Sequence, residues 1–72
     1  MQEITRLIRG YLAHWIEHNN EHAERYEEWA KKAKEAGLEK VSERLAKASS
    51  LLREASKELE AAYKELESAQ FV

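Results

Sequence analysis

The stretch Lys34-Glu35-Ala36-Gly37-Leu38-Glu39-Lys40-Val41 decides the fold of this 72-residue chain. Gly37 is the one glycine near the middle of a chain that has no proline, and glycine commonly ends a helix. Lysines precede Gly37 and Glu39 follows it, which suits the last turn of one helix and the first turn of the next. A link this short turns the second helix back along the first. The sequence therefore predicts an all-α, antiparallel two-helix hairpin, with helices over about 3–36 and 38–70 in a single domain, 1–72.

The composition of the chain excludes several classes of function. Its 12 Lys and Arg residues nearly balance 14 carboxylates, all of them Glu, so no basic face for nucleic acid is indicated. Without cysteine there is no thiolate metal site, disulfide or cysteine nucleophile. No apolar run approaches the roughly 18 residues of a membrane span, and the first residues lack the order of a signal peptide. We expect a soluble, cytoplasmic protein that binds neither nucleic acid nor membrane.

The second helix carries two rows of residues with a seven-residue period. Leucine alternates with a small apolar residue three positions later, which predicts a packing seam of large and small side chains. This seam comprises Leu38, Val41, Leu45, Ala48, Leu52, Ala55, Leu59, Ala62, Leu66 and Ala69. The second row flanks it and comprises Ser42, Ser49, Ser56 and Tyr63. We expect this row to be a polar rim, and the alternative is a second, tighter helix contact.

The first helix carries an apolar arc that is too wide for one partner helix to cover. Its main stripe comprises Ile8, Leu12, Trp15, Asn19, His22, Tyr26, Trp29, Ala33 and Ala36, and Ile4, Leu7, Tyr11 and Ile16 widen it near the N-terminus. A second copy of the hairpin is the simplest cover, which predicts a homodimer that forms a four-helix bundle. Gly10 lies inside this helix, where glycine can mark a kink or a close contact.

All three histidines of the chain lie on the first helix, at His14, His18 and His22. Each step of four residues rises about 6 Å, so neighbouring imidazoles can share an ion, whereas the outer two, about 12 Å apart, cannot. Glu17 and Glu21 add carboxylates to the same stretch. One helix thus supplies at most two imidazoles to an ion, and a second chain must complete a four-coordinate site. The row predicts a site for Zn²⁺, Ni²⁺, Co²⁺ or Cu²⁺, and iron fits less well.

Two other interpretations of the histidine row remain open. His22 and Asn19 can form a polar layer that fixes helix register, in which case the hairpin is a purely structural oligomerisation or scaffold module, natural or designed. The histidines can also be ordinary surface residues. Catalysis has little support, because the serines lie on the second helix and aspartate is absent. We expect no enzymatic activity and no small-molecule substrate.

The segment His22-Ala23-Glu24-Arg25-Tyr26, together with residues 33–41 and the Leu45/Ala48 repeat, resembles the inter-helix turn of ferritin-like and rubrerythrin-like hairpins. The resemblance covers roughly residues 15–56. It implies a bundle architecture, with His22 as an inward ligand of a di-iron centre. The glutamate that the family places three residues before this histidine is Asn19 here, and Leu52 and Ala55 occupy the matching pair on the second helix. The resemblance therefore implies the hairpin and the dimeric bundle, but not a complete di-iron site.

Overall fold

The computed structural model describes residues 2–70, with side chains through residue 69, and it consists of two α-helices joined by a tight turn. Helix α1 spans Gln2–Glu35 and helix α2 spans Glu39–Gln70. The helices pack side by side into a rod of 54 × 15 × 11 Å, and no strand occurs among the described residues. The predicted all-α hairpin is confirmed, and its helix bounds lie within one residue of the expected ones.

The turn has the hydrogen bonds of a Schellman motif, the helix ending that glycine favours. Gly37 has a φ of 81°, in the left-handed region. The Leu38 amide donates to the Ala33 carbonyl at 2.9 Å, and the Gly37 amide donates to the Lys34 carbonyl at 3.0 Å. The Leu38 carbonyl then accepts the first bond of α2, from the Ser42 amide at 2.9 Å. Gly37 thus ends one helix and aims the chain directly into the next.

The contact between α1 and α2 is built mainly from small residues. On α1 the buried residues are Leu12, Ala23, Ala30 and Ala33, and on α2 they are Ser49 and Ser56. The row that contains these serines is therefore the tighter helix contact, and the expectation of a polar rim was wrong. The seam leucines Leu45, Leu52, Leu59 and Leu66 are half-buried beside this row, whereas Ala55, Ala62 and Ala69 are exposed.

Helix α1 runs without interruption through Gly10. A Cβ atom placed on Gly10 would meet nothing within 4 Å, so no close contact requires glycine there. At the other end of α1, near the turn, a hydroxyl group joins the two helices. The Ser42 hydroxyl donates to the Ala30 carbonyl across the helix pair at 2.7 Å. Side-chain to main-chain bonding of this kind holds the two backbones near each other close to the turn.

The two broad sides of the hairpin differ in chemistry. Glu27 of α1 and Arg53 of α2 form an ion pair, so the flank of α1 that carries Glu27 and the flank of α2 that carries Arg53 lie on one side. By the 100° step of the helix, the opposite flanks of both helices lie on the other side. The large apolar residues exposed on that other side define what we call the apolar face: Ile4, Leu7, Ile8, Tyr11, Trp15 and Trp29 of α1, with Val41 and Leu51 of α2.

The chain exposes more surface than a compact protein of its mass. Its accessible surface is 5977 Å² at 8.4 kDa. A folded monomer of this mass exposes roughly 4,600 Å², so the excess is about 1,400 Å². The members of the apolar face are 41% to 61% exposed, which is unusual for aromatic and branched aliphatic side chains. The hairpin therefore presents a large apolar surface that its own fold leaves uncovered.

Candidate functional site

A row of rings crosses the middle of the apolar face. The 3.6-residue period places His18 and His22 on the same flank of α1 as Trp15 and Trp29, while His14 lies nearer the outer edge. The His14 and His18 rings are stacked with centroids 5.6 Å apart, and the His18 and His22 rings meet edge to face at 4.5 Å. His14 and His18 are exposed and His22 is half-buried. The imidazoles are thus accessible from the side on which the hairpin is uncovered.

His18 and His22 face each other through their Nε2 atoms, which are 3.2 Å apart. As a hydrogen bond, this contact requires one ring to donate from Nε2 and the other to accept, so the two rings differ in the location of their protons. The same separation suits metal chelation. Two nitrogens bound at 2.0–2.1 Å to a tetrahedral ion lie about 3.3 Å apart. The pair therefore already has the spacing of two ligands on one Zn²⁺.

The other predicted ligands do not complete a site within one chain. Glu17 and Glu21 are exposed on α1, and Glu21 lies one helical turn beyond His18. The His14 ring contacts the His18 ring. His14 and His22 are two helical turns apart, so these two residues cannot bind the same ion. Across residues 2–70, no three or more His, Cys, Asp or Glu side chains are grouped so that they could hold a metal ion. A single hairpin thus brings together two imidazole nitrogens, those of His18 and His22, and no further ligand among the described residues.

The sequence also allows His22 and Asn19 to form a polar layer between helices instead of a metal site. Both residues are half-buried, as expected for side chains at the border between the helix contact and the apolar face. Tyr26 continues the row, with its ring 6.1 Å from that of His22. These positions are compatible with a register-fixing layer between helices, which also requires a partner on the apolar face.

A polar cluster on the opposite side of the hairpin escaped the sequence analysis. Arg53 donates from Nε and Nη2 to the two carboxylate oxygens of Glu27, at 2.9 and 3.1 Å. The Ser49 hydroxyl donates to the same carboxylate at 2.7 Å. The hydrogen bond from Arg53 first, and that from Ser49 second, lower the pKa of Glu27 to about 2. The only available signal was the four-residue spacing of Ser49 and Arg53, which places both on one flank of α2.

The Glu27 cluster has a structural rather than a chemical role. Its carboxylate is saturated by donors, and it lies on the other side of the rod from the histidine row. On the same side Ala13 and Ile16 of α1, with Glu60 and Tyr63 of α2, line a shallow open cleft. Neither feature brings together a nucleophile, a base and a substrate-sized enclosure.

Neither helix of residues 2–70 combines the length and the apolar character that a membrane crossing requires.

These features define a class: an all-helical hairpin with an uncovered apolar face and a pair of imidazoles at its centre. The chain belongs to the family described as Domain of unknown function (DUF8180), whose profile matches residues 8–66. The matched range includes the histidine row, the turn and most of α2. No curated protein and no solved structure gives a significant match to the chain. The family match does not bear on the ferritin-like resemblance, which stays a prediction.

Proposed function

We propose that this hairpin is a non-catalytic protein that binds a divalent transition-metal ion between two copies of the chain. Each copy contributes His18 and His22, and the ion is held by four imidazoles at the interface of a homodimeric four-helix bundle. Zn²⁺ is the preferred ion because four neutral nitrogen ligands in a tetrahedral array suit it, with Co²⁺, Ni²⁺ and Cu²⁺ as alternatives and iron as the poorest fit.

The observation that carries this proposal is the 3.2 Å separation of the two Nε2 atoms. A hydrogen bond between two imidazoles at this spacing favours rotamers that chelation also requires, which would lower the entropy cost of binding an ion. Binding requires the proton between the two rings to leave Nε2, which a neutral imidazole accomplishes by protonation at Nδ1. Glu21, exposed one turn from His18, is placed to accept a bond from such an Nδ1–H directly or through water.

The second copy follows from ligand number and from exposed area. A tetrahedral structural site takes four ligands, whereas one helix offers two. The members of the apolar face are 41% to 61% exposed, and the total surface of the chain exceeds that of a compact monomer by about 1,400 Å². Burial of the roughly 800 Å² per partner of an ordinary stable interface would therefore bring the exposed surface near that of a compact protein. A twofold axis through the apolar face would supply both the missing ligands and the missing cover.

Calorimetric titration with ZnCl₂ and NiCl₂ tests the proposal. The parent protein should bind one ion per two chains with a Kd well below millimolar, and His18→Ala and His22→Ala should each abolish this binding. His14→Ala is the matched control, because it removes an exposed imidazole from the same row and should leave the affinity within a fewfold. Binding that survives both His18→Ala and His22→Ala, or no binding by the parent, would contradict the metal site.

A purely structural self-association module is the second candidate function, and the apolar face favours it. In that case the hairpin dimerises through the same face, while His22 and Asn19 form a polar layer that fixes register. Sedimentation and thermal melts, each with and without chelator, separate the two candidates. A dimer that forms and melts identically in both conditions supports the scaffold, whereas a melting temperature raised by Zn²⁺ supports the metal protein, since an ion that binds only the folded state stabilises it.

A further inference from the structure

The charges beside the apolar face of α2 change sign along the helix. Lys40, Glu43, Arg44 and Lys47 line one shallow depression in the first half of α2, and three of these four residues are basic. In the second half, the helical period places Glu58 and Glu65 on this same edge. Two copies of such an edge complement each other only when they run in opposite directions.

The apolar row of α1 can pack against a second copy of itself that runs in the opposite direction. Its midpoint lies between His18 and Asn19, because the helix spans Gln2–Glu35. Reversal about that point brings Trp15 to the level of His22. It also brings together two other pairs of positions on this flank, which are Ile8 with Trp29 and Tyr11 with Tyr26. Aromatic and aliphatic positions thus lie opposite one another, and the two copies of His18 lie near the centre.

We infer that the partner on the apolar face is a second copy in antiparallel orientation, with α1 packed on α1, α2 packed on α2, and the two turns at opposite ends of the bundle. This inference rests on the homodimer proposed above and specifies its geometry. The twofold axis passes close to His18, so the two His18/His22 pairs lie beside each other across the middle of the interface. Arg44 of each copy lies opposite Glu65 of the partner copy.

The other face-to-face arrangement, with both turns at one end, opposes like charges. It packs α1 of one copy on α2 of the other, which brings Arg25 and Lys32 to the level of Lys40, Arg44 and Lys47. Like charges at close range destabilise an interface, so the dimer with both turns at one end should be less stable than the antiparallel dimer. That arrangement also moves the two histidine rows to diagonal helices, where they cannot share an ion. Charge and ligand geometry thus select the same orientation.

Pulsed electron-spin distance measurements test the orientation directly. The chain has no cysteine, so one introduced cysteine carries one spin label. With Glu35→Cys, near the turn, antiparallel copies separate the labels by about the 54 Å length of the rod. With both turns at one end the same labels would lie within about 25 Å, given interaxial distances of 8–10 Å. A short distance for Glu35→Cys would overturn the antiparallel geometry and leave the dimer intact.

A second label distinguishes failure of the orientation from failure of the dimer. Glu17→Cys, near the middle of α1, should give a short intermolecular distance in either orientation. If neither label gives an intermolecular distance and sedimentation reports 8.4 kDa, the homodimer and the orientation are both wrong. A short Glu17→Cys distance together with a long Glu35→Cys distance is the expected result.

Reversing the charge of one residue tests the orientation independently, because the two orientations predict opposite changes in dimer affinity. In the antiparallel dimer Arg44→Glu opposes Glu65 of the partner, so it should weaken dimerisation roughly fivefold at low salt. Adding Glu65→Arg to the same chain should restore the affinity. With both turns at one end, Arg44→Glu would face Lys32 and strengthen the dimer instead. A stronger dimer in the single variant, or no recovery in the double variant, would overturn the antiparallel pairing.

Discussion

Glu27 and Arg53 form a two-pronged ion pair that joins the two helices on the side of the hairpin opposite the histidine row. The ion pair also shows how the two helices are rotated relative to each other. Because it identifies which flanks of α1 and α2 lie together, it also identifies the flanks that together form the apolar face.

The stability of the hairpin should fall in acid because of Glu27. Its pKa is about 2 in the folded chain against an ordinary value of 4.5, so its contribution is present in full above 4.5 and is lost as pH falls toward 2. Urea titrations at pH 6, 4 and 2.5 should show this loss. Glu27→Gln should reduce the pH dependence, whereas Glu28→Gln, one residue away, should leave it unchanged. An equal effect of both variants would assign the dependence to net charge instead.

Two serines of the same row should respond oppositely to replacement by alanine. The Ser56 hydroxyl is buried and has no hydrogen-bond partner among the described residues, so Ser56→Ala should raise the free energy of unfolding by about 1 kcal/mol. The Ser49 hydroxyl donates to Glu27, so Ser49→Ala should lower it by about 1 kcal/mol. Urea denaturation at one fixed protein concentration measures both. The prediction is wrong if the two variants shift stability in the same direction.

Replacing each of the two glycines by alanine should change the stability of the hairpin in opposite directions. Gly10→Ala places a methyl group in open space within a helix, and it should stabilise the hairpin by about 1 kcal/mol. Gly37→Ala forces a side chain into the left-handed region at φ 81°, and it should cost about 1–2 kcal/mol. Thermal melts of the two variants beside the parent decide this. A neutral Gly37→Ala would mean that the turn relaxes to another geometry.

Trp29 should matter for association more than for the fold of one hairpin. Its side chain is 54% exposed, with the Lys32 ammonium 4.4 Å from the ring centroid, so a monomer gains little from it. Aromatic residues that an interface buries often contribute about 2 kcal/mol or more, so Trp29→Ala should weaken dimerisation roughly 10–100-fold. Concentration-dependent sedimentation measures the effect. Lys57→Ala, on the polar side, is the control and should leave the dimer constant unaltered.

The sequence predicted the helices and the turn closely because these depend on local signals. Gly37, the lysines before it and Glu39 after it act within one helical turn of each other, so no distant contact was needed to place them. The seven-residue period also revealed both rows of α2. It did not reveal which row contacts α1, because hydrophobicity favoured Ala55 over Ser56. The structure decides for the serines because Ser42 and Ser49 find acceptors on α1 at positions that only the folded hairpin brings near.

The candidate site was predictable in part. The spacing of four residues guaranteed that His18 and His22 would be neighbours on α1. Their Nε2 separation depends on side-chain rotamers, which the sequence does not specify, so the sequence leaves the choice between His14/His18 and His18/His22 open. The structure brings the Nε2 atoms of His18 and His22 to 3.2 Å, and the metal site itself stays a proposal. The Glu27–Arg53 pair joins residues on different helices, and its existence follows only once the serine row sets the rotation of α2 against α1.

The serine and leucine rows of α2 have a consequence for how this chain can change in length. One residue inserted inside either helix would rotate everything beyond it by about 100°, which would separate Ser49 from Glu27 and carry half of the apolar residues to the opposite side. A seven-residue insertion in one helix alone would preserve the rotation but leave one arm longer than the other. Variation in length is therefore tolerated at the helix ends and at the turn around Gly37, whereas the arms admit substitutions but not gaps.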